Sequence, residues 1–296
     1  MAGLKEVRIR IASVKSTEQI TSAMKMVAAS KLRRAQNAIL KLRPYAAKLR
    51  EIMQNLSAGP EDSNENRFME AREANRILLV VLTSNRGLCG AFNTNIIKLT
   101  VERIHSTYAA QNREHAVDLI TIGKKATDFF RKRNYRVIES WDAIYDTLTF
   151  EEVAPKAIQL MQLFAGKKYD RIELIYNQFK NAAVQRQMIE QYLPLVPENS
   201  ETEHPLKKIE ADYLFEPDKE TIFHELIPKT LRIQLFKAIL DSFAAEMGAR
   251  MTAMHQATEN ARQLLKDLRI SYNKARQNQI TREIIEIVSG AEALKG

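Results

Sequence analysis

Apolar and small residues recur along the last quarter of the chain at Leu240, Ala244, Met247, Met251, Met254, Thr258, Ala261, Leu265, Leu268, Tyr272 and Ala275. This unbroken 4,3 spacing is a coiled-coil seam and predicts one long helix from Lys229 to Leu294. No proline interrupts that stretch, and Gly248 and Gly290 are its only glycines. At about 1.5 Å per residue such a helix extends roughly 95 Å, several times what a compact domain needs to cover its own core. Beyond Ala275 the heptad lapses. Gln279 takes the next seam position, while Ile280, Ile284, Ile285, Ile287 and Val288 spread over more of the surface than one partner stripe requires.

The first 58 residues carry a second seam, at Ala28, Leu32, Ala35, Ile39, Leu42, Ala46, Leu49, Met53 and Leu56, continued less strictly upstream by Val7, Ile11, Val14, Thr21 and Met24. Pro44 should bend this helix, because its ring clashes with the carbonyl of Leu40 and it donates no hydrogen bond. Ser57-Ala58-Gly59-Pro60 should end it, and the polar run Glu61 to Glu73 reads as a loop. Both seams are rich in Ala and Met, which allows close, adaptable packing. Two terminal helices with stripes neither can bury alone most simply bury them against each other, antiparallel. The alternative is that each packs on its own side of the intervening body.

Between them the period changes. Arg76 to Thr83 is a continuous apolar run of strand length, as in a buried parallel strand. A helical pattern follows from Asn93 to Gln111, a strand from Val117 to Ile122, a helix from Lys124 to Lys132, and a third strand at Tyr135 to Ile138. Phe150 to Phe164 is helical, Arg171 to Tyr176 alternates as a strand, and Val184 to Leu193 reads as its hairpin partner across Asn181-Ala182. Alternating strands and helices predict an α/β body with a doubly wound, mostly parallel sheet and an antiparallel edge. Pro217 and Pro228 punctuate the approach to the final helix. The expected segments are 1–58 (N-terminal coiled-coil helix), 59–228 (central α/β domain) and 229–296 (C-terminal coiled-coil helix).

Composition narrows the function classes. The chain has 296 residues and a net charge of +9, unevenly placed: residues 1–58 carry twelve Lys/Arg against three Asp/Glu, the middle is mildly acidic, and the last segment is basic again. A basic helix fits nucleic acid, a membrane surface or an acidic protein partner, and composition alone does not choose. No run approaches 18 uncharged apolar residues, so no membrane span is expected, and the start lacks a signal core or transit-peptide character. The single cysteine, Cys89, excludes an internal disulfide. Histidines 105, 115, 204, 224 and 255 show no metal-ligand spacing.

Candidate chemistry is thin. Thr83-Ser84-Asn85-Arg86-Gly87-Leu88-Cys89-Gly90-Ala91-Phe92-Asn93 lies between the first strand and its helix, where doubly wound folds often bind phosphate. It contains neither phosphate-loop glycine pattern and no lysine. The favoured reading is a tight turn permitted by Gly87 and Gly90, with Asn93 capping the helix. Cys89 has no neighbouring base and reads as a small buried residue. Gly123-Lys124-Lys125 and Gly166-Lys167-Lys168 read as solvated element ends, and His255 as a side chain flanking the seam. In Asp212-Tyr213-Leu214-Phe215-Glu216-Pro217-Asp218, two aromatics among acids form either an interface patch or a plug sealing the helix onto the sheet.

Several stretches together carry a family resemblance: Ile280-Thr281-Arg282-Glu283-Ile284-Ile285-Glu286-Ile287-Val288-Ser289-Gly290-Ala291; Ala249-Arg250-Met251-Thr252-Ala253-Met254 with Ala257-Thr258-Glu259-Asn260-Ala261; Tyr272-Asn273-Lys274-Ala275-Arg276-Gln277; and Ile20 to Leu32. With the Ser-Asn-Arg-Gly-Leu-Cys-Gly and Tyr-Leu-Phe-Glu-Pro-Asp stretches, they resemble the gamma subunit of F-type ATP synthases, in its bacterial form. The resemblance implies a non-catalytic rotor shaft whose coiled coil enters a hexamer of alternating alpha and beta subunits. Its sheet domain would bind the epsilon subunit and the membrane rotor ring of c subunits. ATP chemistry would belong to beta, leaving this chain without a cofactor or nucleic-acid partner. It would join the membrane only through the complex, peripherally, on the cytoplasmic side of the inner (plasma) membrane. By matching position, Arg276, Gln277 and Thr281 would contact a beta loop. Met24, Lys25, Lys31, Arg33 and Arg34 would pass the acidic lever of beta, and Tyr213, Leu214, Phe215 and Glu216 would meet the rotor ring. The extra helix tip would outrun its partner and meet the surrounding sleeve.

Overall fold

The computed structural model describes residues 4–57, 67–70, 72–195 and 219–293. In chain order the elements are α1 (Leu4–Ser57), β1 (Ile77–Leu82), α2 (Phe92–Ser106), α3 (Ala109–Arg113), β2 (Val117–Ile122), α4 (Lys124–Lys132), β3 (Val137–Ser140), α5 (Ile144–Thr147), α6 (Phe150–Ala165), β4 (Arg171–Phe179), β5 (Gln185–Leu193) and α7 (Lys219–Ala293). By packing the chain divides into two compact units, one of Met1–Ala29 with Arg250–Gly296 and one of Ser30–Ala249. The long helices α1 and α7 each contribute residues to both units.

The larger unit holds a five-stranded sheet in the order β3-β2-β1-β4-β5. β1 pairs in parallel with β2 and with β4, β2 pairs in parallel with β3, and β5 closes one edge antiparallel to β4. The expected mostly parallel sheet with an antiparallel edge is the observed one. β1 is central and every residue of it is buried, which is why its sequence is an unbroken apolar run and not an alternation. Leu78, Val80 and Leu82 face a core built with Val153, Ala157, Leu160 and Phe164 of α6 and with Leu231, Leu235 and Ile239 of α7. Ile77, Leu79 and Val81 face the opposite core, with Ile96 and Ile104 of α2 and Ala126 and Phe130 of α4. Two helical layers thus cover both sheet faces.

Four local departures from expectation have physical causes. The helical pattern expected to run unbroken to Gln111 breaks after Ser106, where Tyr108 leaves helical geometry (φ −111°, ψ 29°) and its buried hydroxyl reaches Glu173 at 2.5 Å. β3 starts at Val137, because the Tyr135 amide is taken by the Phe130 carbonyl at 3.0 Å and its ring packs edge-on to Phe130. β4 runs on to Phe179, three residues past the expected end, held by its ladder with β5. Finally, α7 begins at Lys219 and contains Pro228. The Pro228 carbonyl accepts a hydrogen bond from Arg232 Nε at 3.1 Å. Pro44 likewise lies inside α1, which continues through it.

The smaller unit is the two-helix seam. Thr258 Oγ1 donates to Thr21 Oγ1 at 2.9 Å, Arg262 Nε to Glu18 Oε1 at 3.1 Å, and Arg8 Nη2 to the Tyr272 hydroxyl at 2.9 Å. The partner number on α7 falls as that on α1 rises, so the helices are antiparallel, as the seams predict. Met254, Thr258, Ala261 and Leu265 are buried, and Leu268, Tyr272 and Ala275 are half-buried. Glu18 takes a position in the α1 seam that an apolar residue would normally fill. Its carboxylate is held there by Arg262, so a charge breaks the stripe without being left unpaired.

Candidate functional site

The seam register determines which part of α7 has a partner within the chain. With Arg8 opposite Tyr272, Leu4, the first described residue of α1, falls opposite the Ala275 region. From Arg276 to Ala293 every position of α7 is exposed. Ile280, Ile284, Ile285, Ile287 and Val288 are each 48 to 71% exposed, on a helix that stays regular to Ala293. Scattered exposed aliphatics are ordinary, but five on three successive turns make a contiguous patch of the kind that marks an interaction surface.

Of the expected contact residues, Arg276, Gln277 and Thr281 all lie on this exposed stretch. Gln277 and Thr281 share a face, and the Thr281 hydroxyl donates to the Gln277 carbonyl at 3.0 Å. The hydroxyl is thereby oriented along the helix, a local bond it can exchange for an external acceptor. On α1, Met24 and Lys25 are both half-buried, because either residue satisfies the spacing between the seam positions Thr21 and Ala28. Lys31, Arg33 and Arg34 are exposed. Tyr213, Leu214, Phe215 and Glu216 lie outside the described residues.

The off-seam surface of α1 was missed by sequence reasoning. Ile9, Ile20, Met26, Val27 and Leu40 are exposed at 57 to 63%. The available signal was their failure to fall on the 4,3 stripe, which leaves apolar residues with no place in a two-helix seam. Near Glu18 an open groove of about 500 Å³ is lined by Lys15, Arg262, Lys266, Arg269 and Ile270. Cations dominate it, so its electrostatics favour an acidic neighbour over a basic one.

The loop after β1 is wired to itself. Asn93 is not the cap of α2. It sits one residue inside the helix, whose N-cap position is Ala91 with no side-chain cap bond. Its Oδ1 accepts from the Ser84 amide at 2.9 Å, and its Nδ2 donates to Ser84 Oγ at 2.8 Å and to Cys89 Sγ at 3.2 Å. Asn85 bridges to the next loop, donating to the Asp142 carbonyl at 2.9 Å and accepting from the Lys124 amide at 3.1 Å. Gly90 adopts a left-handed φ of +60°, and so does Leu88 at +65°, where the expected glycine, Gly87, does not. Cys89 is buried against Phe92 and Ala245, which matches its reading as a small core residue. Polar atoms that would have to face a phosphate are spent on holding the turn.

A second polar network, also missed, ties α2 and α3 to the sheet. The Glu173 carboxylate on β4 accepts from Arg103 Nη2 at 2.6 Å and Nε at 3.0 Å, and from the Tyr108 hydroxyl. Burial, then the bond to Glu173, pushes Tyr108 up to about 12. Burial also raises Tyr145, Tyr169 and Tyr192 above the usual tyrosine range. Tyr108 and Tyr169 bond to Glu173 and Asp118 on the sheet, while Tyr192 donates to the Leu231 carbonyl of α7 and the Tyr145 ring stacks on Phe243 of α7, so these groups are structural in position. Among the described residues no cluster of three or more His, Cys, Asp or Glu is placed to hold a metal ion, and no helix is long and apolar enough to cross a membrane.

Two very long helices paired in an antiparallel seam, together with a five-stranded doubly wound sheet, define a class of coiled-coil α/β protein. The family model for ATP synthase matches residues 3–294. The chain is 54% identical over 296 residues to the ATP synthase gamma chain of Christiangramia forsetii, and 55% identical over 296 residues to that of Flavobacterium johnsoniae, with both proteins covered completely in each comparison. In fold it is similar to a chain of the rotor of the Euglena gracilis mitochondrial ATP synthase, with a TM-score of 0.65 and 24% identity, covering 94% of this chain and 98% of that one. The chain belongs to the ATP synthase gamma chain family. A gamma chain is a non-catalytic subunit in the peripheral part of a membrane-bound complex.

Proposed function

We propose that the chain is the central rotor shaft of an F-type ATP synthase, carrying torque between an ion-driven membrane ring of c subunits and a catalytic alpha/beta hexamer. The observation that carries this reading is the tip of α7, a regular helix exposed on all sides from Arg276 to Ala293 and studded with aliphatic residues. Such a surface needs a cover, and a surrounding hexamer supplies one that a second helix does not. An apolar shaft end in an apolar sleeve is held by non-directional contact, so it can turn without breaking a fixed set of hydrogen bonds. Directional contacts are then few: Arg276, Gln277 and Thr281 would engage a loop of one beta subunit at a time and couple the shaft angle to that site.

Lys31, Arg33 and Arg34 on α1, with Met24 and Lys25, would pass the acidic lever of beta. Several cations attract each lever in turn without locking onto one. Tyr213, Leu214, Phe215 and Glu216 would meet the rotor ring, and the epsilon subunit would bind the sheet domain. The complex would sit on the cytoplasmic face of the inner (plasma) membrane. ATP chemistry would belong to beta, consistent with a β1–α2 loop whose polar atoms hold the turn itself.

Thr281→Val and Arg276→Ala in the whole complex test the directional contacts. Both variants should assemble with alpha and beta and lose coupled ATP synthesis, because neither side chain supports the fold. Normal synthesis by both would remove these residues from the coupling contact. Absence of alpha and beta from purified wild-type complex would remove the shaft reading itself.

A further inference from the structure

Within the larger unit, α7 is gripped in a way that its coiled-coil seam does not require. From Ala238 to Gly248 every residue is buried except Phe243, which is half-buried. The seam stripe accounts for Leu240, Ala244 and Met247. Ala245, Gly248 and Ala249 form a second stripe of small residues beside it. On that stripe Ala245 packs with Cys89 and Phe92, and Phe179 and Ala249 pack against the same cluster. At Gly248 the approach is closer. A Cβ there would lie 3.2 Å from the Ala182 Cα, 3.3 Å from its carbonyl oxygen and 3.5 Å from the Phe179 ring. The turn of the β4–β5 hairpin therefore rests against the backbone of α7 with almost no side chain between. A glycine inside a helix costs about 1 kcal/mol relative to alanine, and Gly290, further along the same helix, has open space where its Cβ would be. The cost at Gly248 has a structural return that the one at Gly290 lacks.

The hairpin is stiff where it touches. Asn181 Oδ1 accepts from the amides of Ala183 at 3.0 Å and Val184 at 2.7 Å, and the Asn181 amide donates to the Val184 carbonyl at 3.2 Å. Below the turn, the buried Asn177 side chain donates to the Phe92 carbonyl at 3.2 Å, tying β4 to the start of α2. The position is informative as well. The crevice beyond the carboxyl ends of β1 and β4, where the strand order reverses, is where doubly wound sheets hold their ligands. Here Cys89 and Phe92, following β1, and Phe179, at the end of β4, seat a helix in its place.

We propose that Gly248 is a positioning residue for torque transfer, the point at which the β4–β5 hairpin seats backbone to backbone on α7 and prevents the helix from rolling about its own axis. A helix held by one apolar stripe yields to torque as its side chains bend and slide. A contact without side chains has no such soft element, so rotation of the sheet body is passed to the shaft. The inference rests on the shaft reading and adds the place where the torque enters the helix.

The test compares two activities, one of the detached hexamer with its shaft and one of the whole complex. ATP hydrolysis by the detached hexamer and shaft turns the shaft without load on the sheet body, and does not need the grip. ATP synthesis driven by an ion gradient needs it. Gly248→Leu should displace the hairpin and lower synthesis about fivefold or more with hydrolysis changed less than about twofold. Gly248→Ala, whose Cβ demands a shift of only a few tenths of an ångström, should do the same to a smaller degree. Asn181→Ala softens the turn while leaving the core intact, so it should follow in the same direction even if Gly248→Leu does not assemble. Equal rates to wild type in the assembled Gly248→Leu complex would overturn the proposal. A proportional fall of both activities in Gly248→Ala and Asn181→Ala would also overturn it, by showing a structural role alone. Failure of wild-type chain to copurify with alpha and beta would count against the shaft reading instead.

Discussion

Two stretches of the same helix, Ala238–Gly248 and Gln277–Ala293, have opposite environments. The first is buried nearly all round by its own chain, and the second is exposed at every position. Both are regular helix and both carry aliphatic side chains, so neither propensity nor hydrophobicity separates them. What differs is whether the chain itself provides the cover. In the first stretch small residues, Ala244, Ala245 and Gly248, let two partners approach at once. In the second, branched residues, Ile284, Ile285, Ile287 and Val288, project outward with no partner among the described residues. The lesson is that an apolar helix surface is covered either from within or from without, and side-chain size indicates which: small where backbones must come close, large where a loose sleeve suffices.

The largest effect that tests this contrast is truncation in each stretch's neighbourhood. Leu235, with no exposed surface, packs into the core against the sheet. Leu235→Ala should destabilise the isolated chain by about 2–5 kcal/mol, from lost transfer energy plus the cavity left behind. Ile284→Ala, at a position 55% exposed, should change stability by less than about 0.5 kcal/mol. Urea unfolding of both variants measures the difference. A comparable loss at Ile284 would mean that the tip has a partner within the chain after all.

Alkaline pH should sharpen the contrast by loosening one stretch alone. Tyr108 is raised to about 12, chiefly by burial, so the folded state keeps a proton that the unfolded state begins to release near pH 10. Its contribution is complete below about pH 10 and is lost as pH rises through about 12. Tyr145, Tyr169 and Tyr192 are shifted in the same direction. Hydrogen exchange should therefore show protection of residues 238–248 falling over that window after correction for the intrinsic rate. The tip, which contacts none of these tyrosines, should show no such step. Tyr108→Phe removes one titrating group together with a hydrogen bond to a charged carboxylate, and should cost about 1.5–3 kcal/mol at neutral pH while flattening part of the alkaline loss.

These regions were not equally legible in the sequence. The central strands were, because strands buried on both faces read as apolar runs, as Ile77 to Leu82 does. The seam from Leu240 to Ala275 and its lapse were legible because heptad spacing is a one-dimensional signal. The second stripe at Ala245, Gly248 and Ala249 was not: small residues score neither as apolar nor as polar, and their partners, Cys89 and Ala182, lie far away in sequence. Asn93 misled for a related reason. Its type and place suit a helix cap, but Ser84 and Cys89 compete for the same side chain and win. Glu18 reads as a surface charge until Arg262 is placed opposite it. The proposed contact residues Arg276, Gln277 and Thr281 rest on family resemblance, since exposed polar residues on an exposed helix carry no periodic signal of their own.

Between the two extremes lies the single-stripe seam, and a buried polar pair in it tests how firmly the register there is set. Thr258 Oγ1 donates to Thr21 Oγ1 at 2.9 Å and also approaches the Met254 carbonyl at 2.8 Å, while the Thr21 hydroxyl lies 3.1 Å from the Glu18 carbonyl. Thr258→Val leaves the buried Thr21 oxygen without its cross-helix donor and should cost about 1 kcal/mol. Thr21→Val with Thr258→Val removes both polar groups at nearly constant volume, so the double variant should be no less stable than the single one. A double-mutant cycle on thermal unfolding measures the coupling. The cost should appear elsewhere. An all-apolar stripe tolerates sliding of one helix along the other, whereas the hydroxyl pair and the Glu18–Arg262 bridge each fit one register. Engineered cysteines placed one heptad out of register should therefore cross-link faster in the double variant than in the parent. Equal rates would assign the register to side-chain packing alone, making the seam as self-sufficient as the gripped stretch.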